Sequence, residues 1–215
     1  MLNNEDYLNI FHEIKNSITL IGGSLQLVAK KHPEVNRFEY WNEAMSEISF
    51  LKNMVTQLSS ARLCGHLNVM QINIYAFMHQ IASSIRAFSW SSFNCNIVFE
   101  ESLPLIELDP QLVKQAVINL VKNAYEAMGN NGTAVITVSC SDNYMHIAVT
   151  DQGGGLDPAF ADHIFQPFIT SKTGGSGLGL VITKEIAEAH HGRLECSSRP
   201  GDGCTFTLSF PLTQN

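Results

Sequence analysis

An α+β fold is predicted by three features of this 215-residue sequence. Two apolar stripes at helical spacing fill its first quarter. Short β-branched runs alternate with helical patterns after residue 68. Glycine clusters bracket residues 151–180. The stripes predict an N-terminal antiparallel helical hairpin, and the alternation predicts an α/β sandwich of a mixed sheet and about three helices. A lone hairpin has too little partner surface to bury both stripes, so pairing with a second copy as a four-helix bundle is expected. Gly65, within Leu63–Asn68, breaks the periodicity and places the junction between domains 1–64 and 65–215.

Composition narrows the function. The apolar fraction of 45% suits a globular chain with a real core, and the net charge of −7 argues against a nucleic-acid surface. Cysteines 64, 95, 140, 196 and 204 are odd in number and form no CxxC pair. That favours free thiols in a reducing cytoplasm over disulfides or a zinc site. No apolar run approaches the ~20 residues that span a bilayer, and no signal-peptide pattern opens the chain, so a soluble piece is expected.

Leu8, Phe11, Ile14, Ile18, Ile21, Leu25 and Val28 define the first helix, capped by Asn3 or Asn4 and ended by Lys30-Lys31-His32-Pro33. Phe38, Trp41, Met45, Ile48, Leu51, Val55 and Leu58 define the second. Val69–Ile74 reads as a strand, Tyr75–Phe88 as a helix, and Cys95–Phe99 and Leu105–Leu108 as strands. Asp109-Pro110 opens a further helix with a capping aspartate and a first-turn proline. Gly129–Gly132 turns the chain, and Thr133–Ser139 with Tyr144–Thr150 form a hairpin about Asp142-Asn143. Val181–His190 is helical, and Gly192–Ser198 and Cys204–Phe210 are the last strands. Trp41 and Trp90 read as packing residues. His190-His191 does not read as a metal pair, because adjacent helical residues point apart and no third ligand is near.

Asp151–Leu180 organises the rest. The strand before it delivers Asp151 to a strand end, where its carboxylate can accept from an exocyclic amine such as that of adenine. Gly153, Gly154 and Gly155 allow backbone to touch a flat ligand. The second cluster, Gly174-Gly175-Ser176-Gly177-Leu178-Gly179-Leu180, runs into a helix, and Lys172 stands just before it. Glycine-rich backbone at a helix start presents N–H groups and the positive dipole end to phosphate. One end for a base and one for phosphates makes a nucleotide site. No Walker A pattern occurs, so it is not a P-loop. In the helix after Asp109, Asn119 and Asn123 are four apart and share a face. Their amide oxygens suit Mg²⁺ carrying nucleotide phosphates.

His12 lies in Phe11-His12-Glu13-Ile14-Lys15-Asn16, offset by one from the apolar stripe. Glu13 can hold the ring's Nδ1–H and raise the nucleophilicity of Nε2. Asn16 lies one turn on from His12. Asp151-x-Gly153-x-Gly155, Phe165-Gln-Pro-Phe168 and Gly175-x-Gly177-Leu178-Gly179-Leu180 resemble the G1, F and G2 boxes of the sensor histidine kinases. His12-Glu13-x-x-Asn16 resembles their H-box and Asn119–Met128 their N-box, while Gly203-Cys204-Thr205-Phe206 resembles their last glycine box. Ser17 departs from the pattern, since relatives usually carry a proline there that bends the helix.

The resemblance implies a Bergerat-type ATP-binding fold, with ATP and Mg²⁺ as cofactors. It implies autophosphorylation of His12 and transfer to an aspartate of a response-regulator receiver domain. Asp151 would read the adenine, and Asn123 with Asn119 would hold Mg²⁺. Lys172 and Gly177–Leu180 would meet the phosphates, and Phe165 and Phe168 would anchor a lid. Related ATPases that hydrolyse ATP carry a glutamate where this chain has Asn119, and an amide cannot take a proton from water. Transfer to a protein nucleophile therefore fits better than rapid hydrolysis. Two alternatives remain open: a Bergerat-type ATPase or serine kinase, and a phosphotransfer scaffold with an inactive ATP domain.

Overall fold

A computed structural model describes residues 4–63, 67–88, 90, 92–161, 163–170 and 176–212, with the side chains of 4–12, 53, 56–63 and 159 outside that description. The chain divides into two compact units, Met1–Leu63 with Gln166–Leu178, and Cys64–Phe165 with Gly179–Asn215.

The first unit is built on a helical hairpin. Helix α1 (Asn4–Lys31) runs 28 residues, about 42 Å at 1.5 Å per residue. It stops where the sequence places Pro33, which begins a short 3₁₀ turn, Pro33–Arg37. Helix α2 (Trp41–Leu63) returns antiparallel. Phe38, expected on the second stripe, lies ahead of α2 and is exposed, because the turn holds the chain through Tyr40. Gly22 lets the helices approach closely: a Cβ there would sit 3.2 Å from Ile48 Cγ2. Along α1, Ile14, Leu20, Ile21, Leu27 and Val28 remain exposed, so one hairpin leaves apolar surface uncovered.

The second unit carries the sheet. Strand β1 (Met70–Ile72) and β3 (Ile106–Leu108) pair antiparallel as a small two-stranded sheet. Helix α3 (Ile74–Arg86) starts one residue earlier than the strand reading of Val69–Ile74 allows, because Asn73 caps it by accepting from Ala76 N–H. Strands β2 (Phe93–Phe99), β4 (Gly132–Ser141), β5 (Tyr144–Thr150), β6 (Arg193–Arg199) and β7 (Gly203–Pro211) form a five-stranded sheet in the order β2-β4-β5-β7-β6. Only β2 and β4 run parallel, so the sheet is mixed as expected. The β4–β5 turn has positive φ at both Asp142 and Asn143, the type I′ geometry that matches strand twist.

Helix α4 (Pro110–Ala127) packs on the sheet beside α3 and α6 (Gly179–Ala189), with a four-residue helix, α5 (Pro158–Ala161), between β5 and α6. Asp109 caps α4, its carboxylate accepting from Gln111 and Leu112 N–H at 3.0 and 3.1 Å. Leu120, Val121, Ile136, Ile147, Ile186 and Leu208 form the centre of the core. This is the α/β sandwich of a mixed sheet and helices that the sequence predicts. Trp90 packs as expected, stacked on Tyr125 with centroids 4.3 Å apart.

Candidate functional site

One face of α4 forms the wall of the candidate site. Asn119, Asn123 and Ala127 recur every four residues, so they stack along that face over about 12 Å. At one end Asn119 Nδ2 donates to the carbonyl of Gly179, the first residue of α6, at 3.4 Å. At the other end the backbone of Gly153 lies against α4, and a Cβ there would come within 2.8 Å of Ala127 O. Asn123, half-buried, stands midway along this face between Gly153 and Gly179. A linear ligand laid along it would meet the Asp151–Gly155 loop at one end and the first turn of α6 at the other.

The loop that follows β5 is held firmly. Asp151 follows β5 and is buried, and its Oδ1 accepts from Gly153 N–H at 2.8 Å and Cys204 N–H at 3.3 Å. Its own N–H donates to Cys204 O at 2.9 Å, so it extends the β5–β7 ladder by one residue. Gly155 and Gly203 both have positive φ, and a side chain on either would run into the Arg199 or Asp151 carbonyl. Thr205 is on β7 beside this loop, its hydroxyl 3.0 Å from that of Thr150 on β5.

The opposite end of the face is organised by Gly179. Its carbonyl accepts from Thr183 Oγ1 at 2.8 Å as well as from Asn119, which orients the first turn of α6. Leu180 is half-buried on that turn. Phe165 is half-buried, with Lys184 Nζ of α6 5.8 Å from its ring centroid. Asn119 and Asn123 supply neutral amide oxygens of the kind that suit Mg²⁺ with phosphates, so the residues present fit that ion.

The segment 166–178 belongs to the first unit. Phe168 is exposed with positive φ. The Gly177 backbone is pressed against it, since a Cβ at Gly177 would lie 2.6 Å from Phe168 C. Leu178 is buried, and its N–H donates to Ser176 Oγ at 3.3 Å. Lys172 and Gly175 lie outside the described residues. His12 falls within α1, but its side chain lies outside the description; Glu13 and Asn16 beside it are exposed.

Some contacts escaped the sequence reading. Ser198 Oγ accepts from Leu156 N–H at 2.8 Å and donates to Gly203 O at 3.0 Å, which ties the Gly153–Gly155 loop to the β6–β7 turn. A serine in an alternating strand gives no signal of such a role. Thr183 could have been found, because a threonine four residues after a helix-opening glycine can bond back to its carbonyl. Among the described residues no group of three or more His, Cys, Asp or Glu could hold a metal.

Residues 108–214 match the family model of the histidine kinase-, DNA gyrase B-, and HSP90-like ATPases. Across 94% of its length the chain is 32% identical to sporulation kinase A of Bacillus subtilis and 29% identical to the signal transduction histidine-protein kinase AtoS of Escherichia coli. It spans about a third of both, 33% and 34%. Against the sensory histidine kinase/phosphatase NtrB of Escherichia coli it is 29% identical and spans 60% of that protein. Among solved structures, the catalytic domain of histidine kinase ThkA is 28% identical over 68% of this chain and 97% of that one, with a TM-score of 0.60. Full-length ShkA in complex with AMPPNP covers the whole chain, and 47% of its own, at TM-score 0.72 and 22% identity, a likeness of fold.

Proposed function

We propose that this chain, as the catalytic core of a sensor histidine kinase, phosphorylates His12 from Mg-ATP and passes the phosphoryl group to an aspartate of a response regulator. The observation that carries the reading is the α4 face, with Gly153 and Asp151 against one end and Gly179 against the other. Adenine at Asp151 and phosphates at the start of α6 place a bound ATP along Asn123.

Each residue then has a task. Asp151 accepts from the adenine amine, its orientation set by the Gly153 and Cys204 N–H groups. Gly153 and Gly155 keep side chains off the base, and Thr205 braces the strand behind it. Asn123, helped by Asn119, holds Mg²⁺, which would neutralise phosphate charge. The Gly175, Gly177, Leu178, Gly179 and Leu180 stretch and Lys172 receive the phosphates, and Phe165 and Phe168 anchor the lid between them. His12 Nε2 attacks the γ-phosphorus, with Glu13 favouring the productive tautomer. Catalysis of this kind is mostly positioning and charge neutralisation.

The division of labour is 1–64 for dimerisation and phosphotransfer and 65–215 for ATP binding, with the uncovered apolar residues of α1 supporting a homodimer. Phosphatase action on the regulator, centred on Asn16, is part of the proposal. None of the described helices is long and apolar enough to cross a membrane; the proposal places this core in the cytoplasm. The test is transfer of radiolabel from γ-labelled ATP, with His12→Ala as control. Label on the chain that vanishes in His12→Ala supports the reading, and label that persists refutes it.

A further inference from the structure

Beneath Phe165 lies a cavity of about 300 Å³ lined by Leu156, Ile164, Phe165, Cys196, Ser198 and Pro200. Cys196 opens onto it half-buried, and buried Cys204 lies on the neighbouring strand β7, opposite Ser198. Cys204 Sγ donates to Ser198 Oγ at 3.1 Å. The second unit therefore sets two thiols on one face of β6 and β7, one of them lining a cavity, with the Asp151 carboxylate 3.3 Å from the Cys204 N–H. The proposed kinase chemistry uses neither.

A disulfide does not suit this pair. In the β6–β7 ladder Ser198 faces Cys204 and Cys196 faces Phe206, so the cysteines are diagonal neighbours. Diagonal Cα atoms lie about 7–8 Å apart, beyond the roughly 6.8 Å that disulfides reach. Peroxide chemistry is disfavoured too, since burial pushes the Cys196 thiol up to about 12 and raises Cys204 as well. A linear S–metal–S unit is different. Thiolate–metal bonds near the ~2.3 Å that zinc makes set the sulfurs roughly 4.5 Å apart, a spacing that diagonal cross-strand side chains can reach.

We propose that Cys196 and Cys204 form a two-thiolate site for a soft cation, copper(I), reached through the cavity beneath Phe165, and that filling it loosens the Asp151 loop. Two S–H bonds break and two S–Cu bonds form. Two protons leave, no electron is transferred, and the neutral pair becomes an anion of charge −1. Thiolates select copper(I) over harder ions. The route to Asp151 is Ser198. Once Cys204 has lost its proton it becomes an acceptor, which draws the Ser198 hydroxyl away from Gly203 O. Gly203 abuts the Asp151 carbonyl, and the same hydroxyl holds Leu156 N–H. The new negative charge also faces the Asp151 carboxylate.

The test titrates the whole chain with copper(I), kept reduced without oxygen, against a chromophoric copper(I) chelator. One copper per chain is expected, with apparent affinity rising about a hundredfold per pH unit near neutrality because two protons are released. Cys196→Ser should weaken it by more than about a hundredfold, and Cys140→Ser should not. Cys204 is buried, so Cys196→Ser carries the argument if Cys204→Ser misfolds. Equal affinity in wild type and Cys196→Ser, or an equal loss in Cys140→Ser, overturns the site. So does conversion of the pair to a disulfide by oxidised glutathione, read by mass. The coupling to Asp151 rests on the nucleotide reading. Copper should weaken binding of a fluorescent ATP analogue in wild type and leave Cys196→Ser unchanged; equal affinities with and without copper overturn that half. A chain that binds no nucleotide even without copper would instead refute the nucleotide reading and leave the copper stoichiometry standing.

Discussion

The backbone N–H of Asp109 donates to Nε2 of His190 at 2.9 Å, so the residue that caps α4 is pinned by the residue that follows α6. The other ring nitrogen donates to Ile186 O at 2.7 Å. An accepting Nε2 and a donating Nδ1 define the neutral ring. Burial pushes the His190 pKa down, while the Ile186 carbonyl and Asp109 pull it up and His191 pushes it further down.

Folding should therefore depend on pH through this histidine. Its folded pKa lies below the unfolded value of about 6.5, so the unfolded state binds the extra proton. The stability it contributes is complete above about 6.5 and is lost as pH falls from there through the folded pKa. Thermal melts from pH 7.5 to 5 should show a steeper decline in wild type than in His190→Gln. Parallel curves would refute the role. At pH 7.5, His190→Ala should cost about 1–3 kcal/mol, because it orphans the buried Asp109 N–H.

Glycines around Asp151 should differ sharply. Gly203→Ala puts a methyl group into the Asp151 carbonyl at a positive φ, whereas nothing lies within 4 Å of a Cβ at Gly154. Nucleotide affinity should fall at least about tenfold in Gly203→Ala, with one to three kcal/mol lost to backbone strain. Gly154→Ala should stay within about 0.5 kcal/mol of wild-type stability. Calorimetric titration and melting of both variants check this.

Asn123→Ala and Asp151→Ala should fail in different ways. The first removes the proposed Mg²⁺ ligand, so ATP binding should lose its metal dependence and phosphorylation should stop. The second removes the proposed adenine reader, so preference for ATP over GTP should relax. An unchanged ATP/GTP ratio in Asp151→Ala would sink that assignment.

Leu20 and Leu27, 73% and 60% exposed, stand seven residues apart on one face of α1. Leu20→Lys with Leu27→Lys should convert the proposed homodimer to monomers in light scattering at micromolar concentration. A wild-type monomer there would count against the four-helix bundle.

Asn16 is exposed one turn after His12, and its amide can both donate to and accept from water. Asn16→Ala should leave His12 phosphorylation largely intact and slow loss of phosphate from the regulator. The decay rate of phosphorylated regulator with ADP present decides it. Matching decay rates with weaker His12 phosphorylation would move Asn16 to the kinase step.

Local chemistry is legible from sequence where neighbours along the chain decide the outcome. Asp109-Pro110 opens α4, Asp142-Asn143 turns the β-hairpin, and Pro33 ends α1, each through forces within four residues. Phe38 and Val69–Ile74 misled because a turn and a cap, Tyr40 and Asn73, override apolar spacing by a few residues. The motif spacing singles out Asp151, Asn119, Asn123 and both glycine clusters as candidates, and the structure sets Asn119 against Gly179 and Gly153 against α4.

The sequence by itself determined the order of elements, the α+β class and the residue types of the candidate site, because periodicity, capping and glycine requirements are local. Only the tertiary structure decided that Asn123 stands between Gly153 and Gly179, that His190 accepts from Asp109, and that Cys196 and Cys204 lie diagonally across β6 and β7. Those pairings follow from strand order β5-β7-β6 and from the packing of α4 against α6. Such contacts join residues up to 81 positions apart, and their free energy comes from burial and hydrogen bonds that exist only once the core closes.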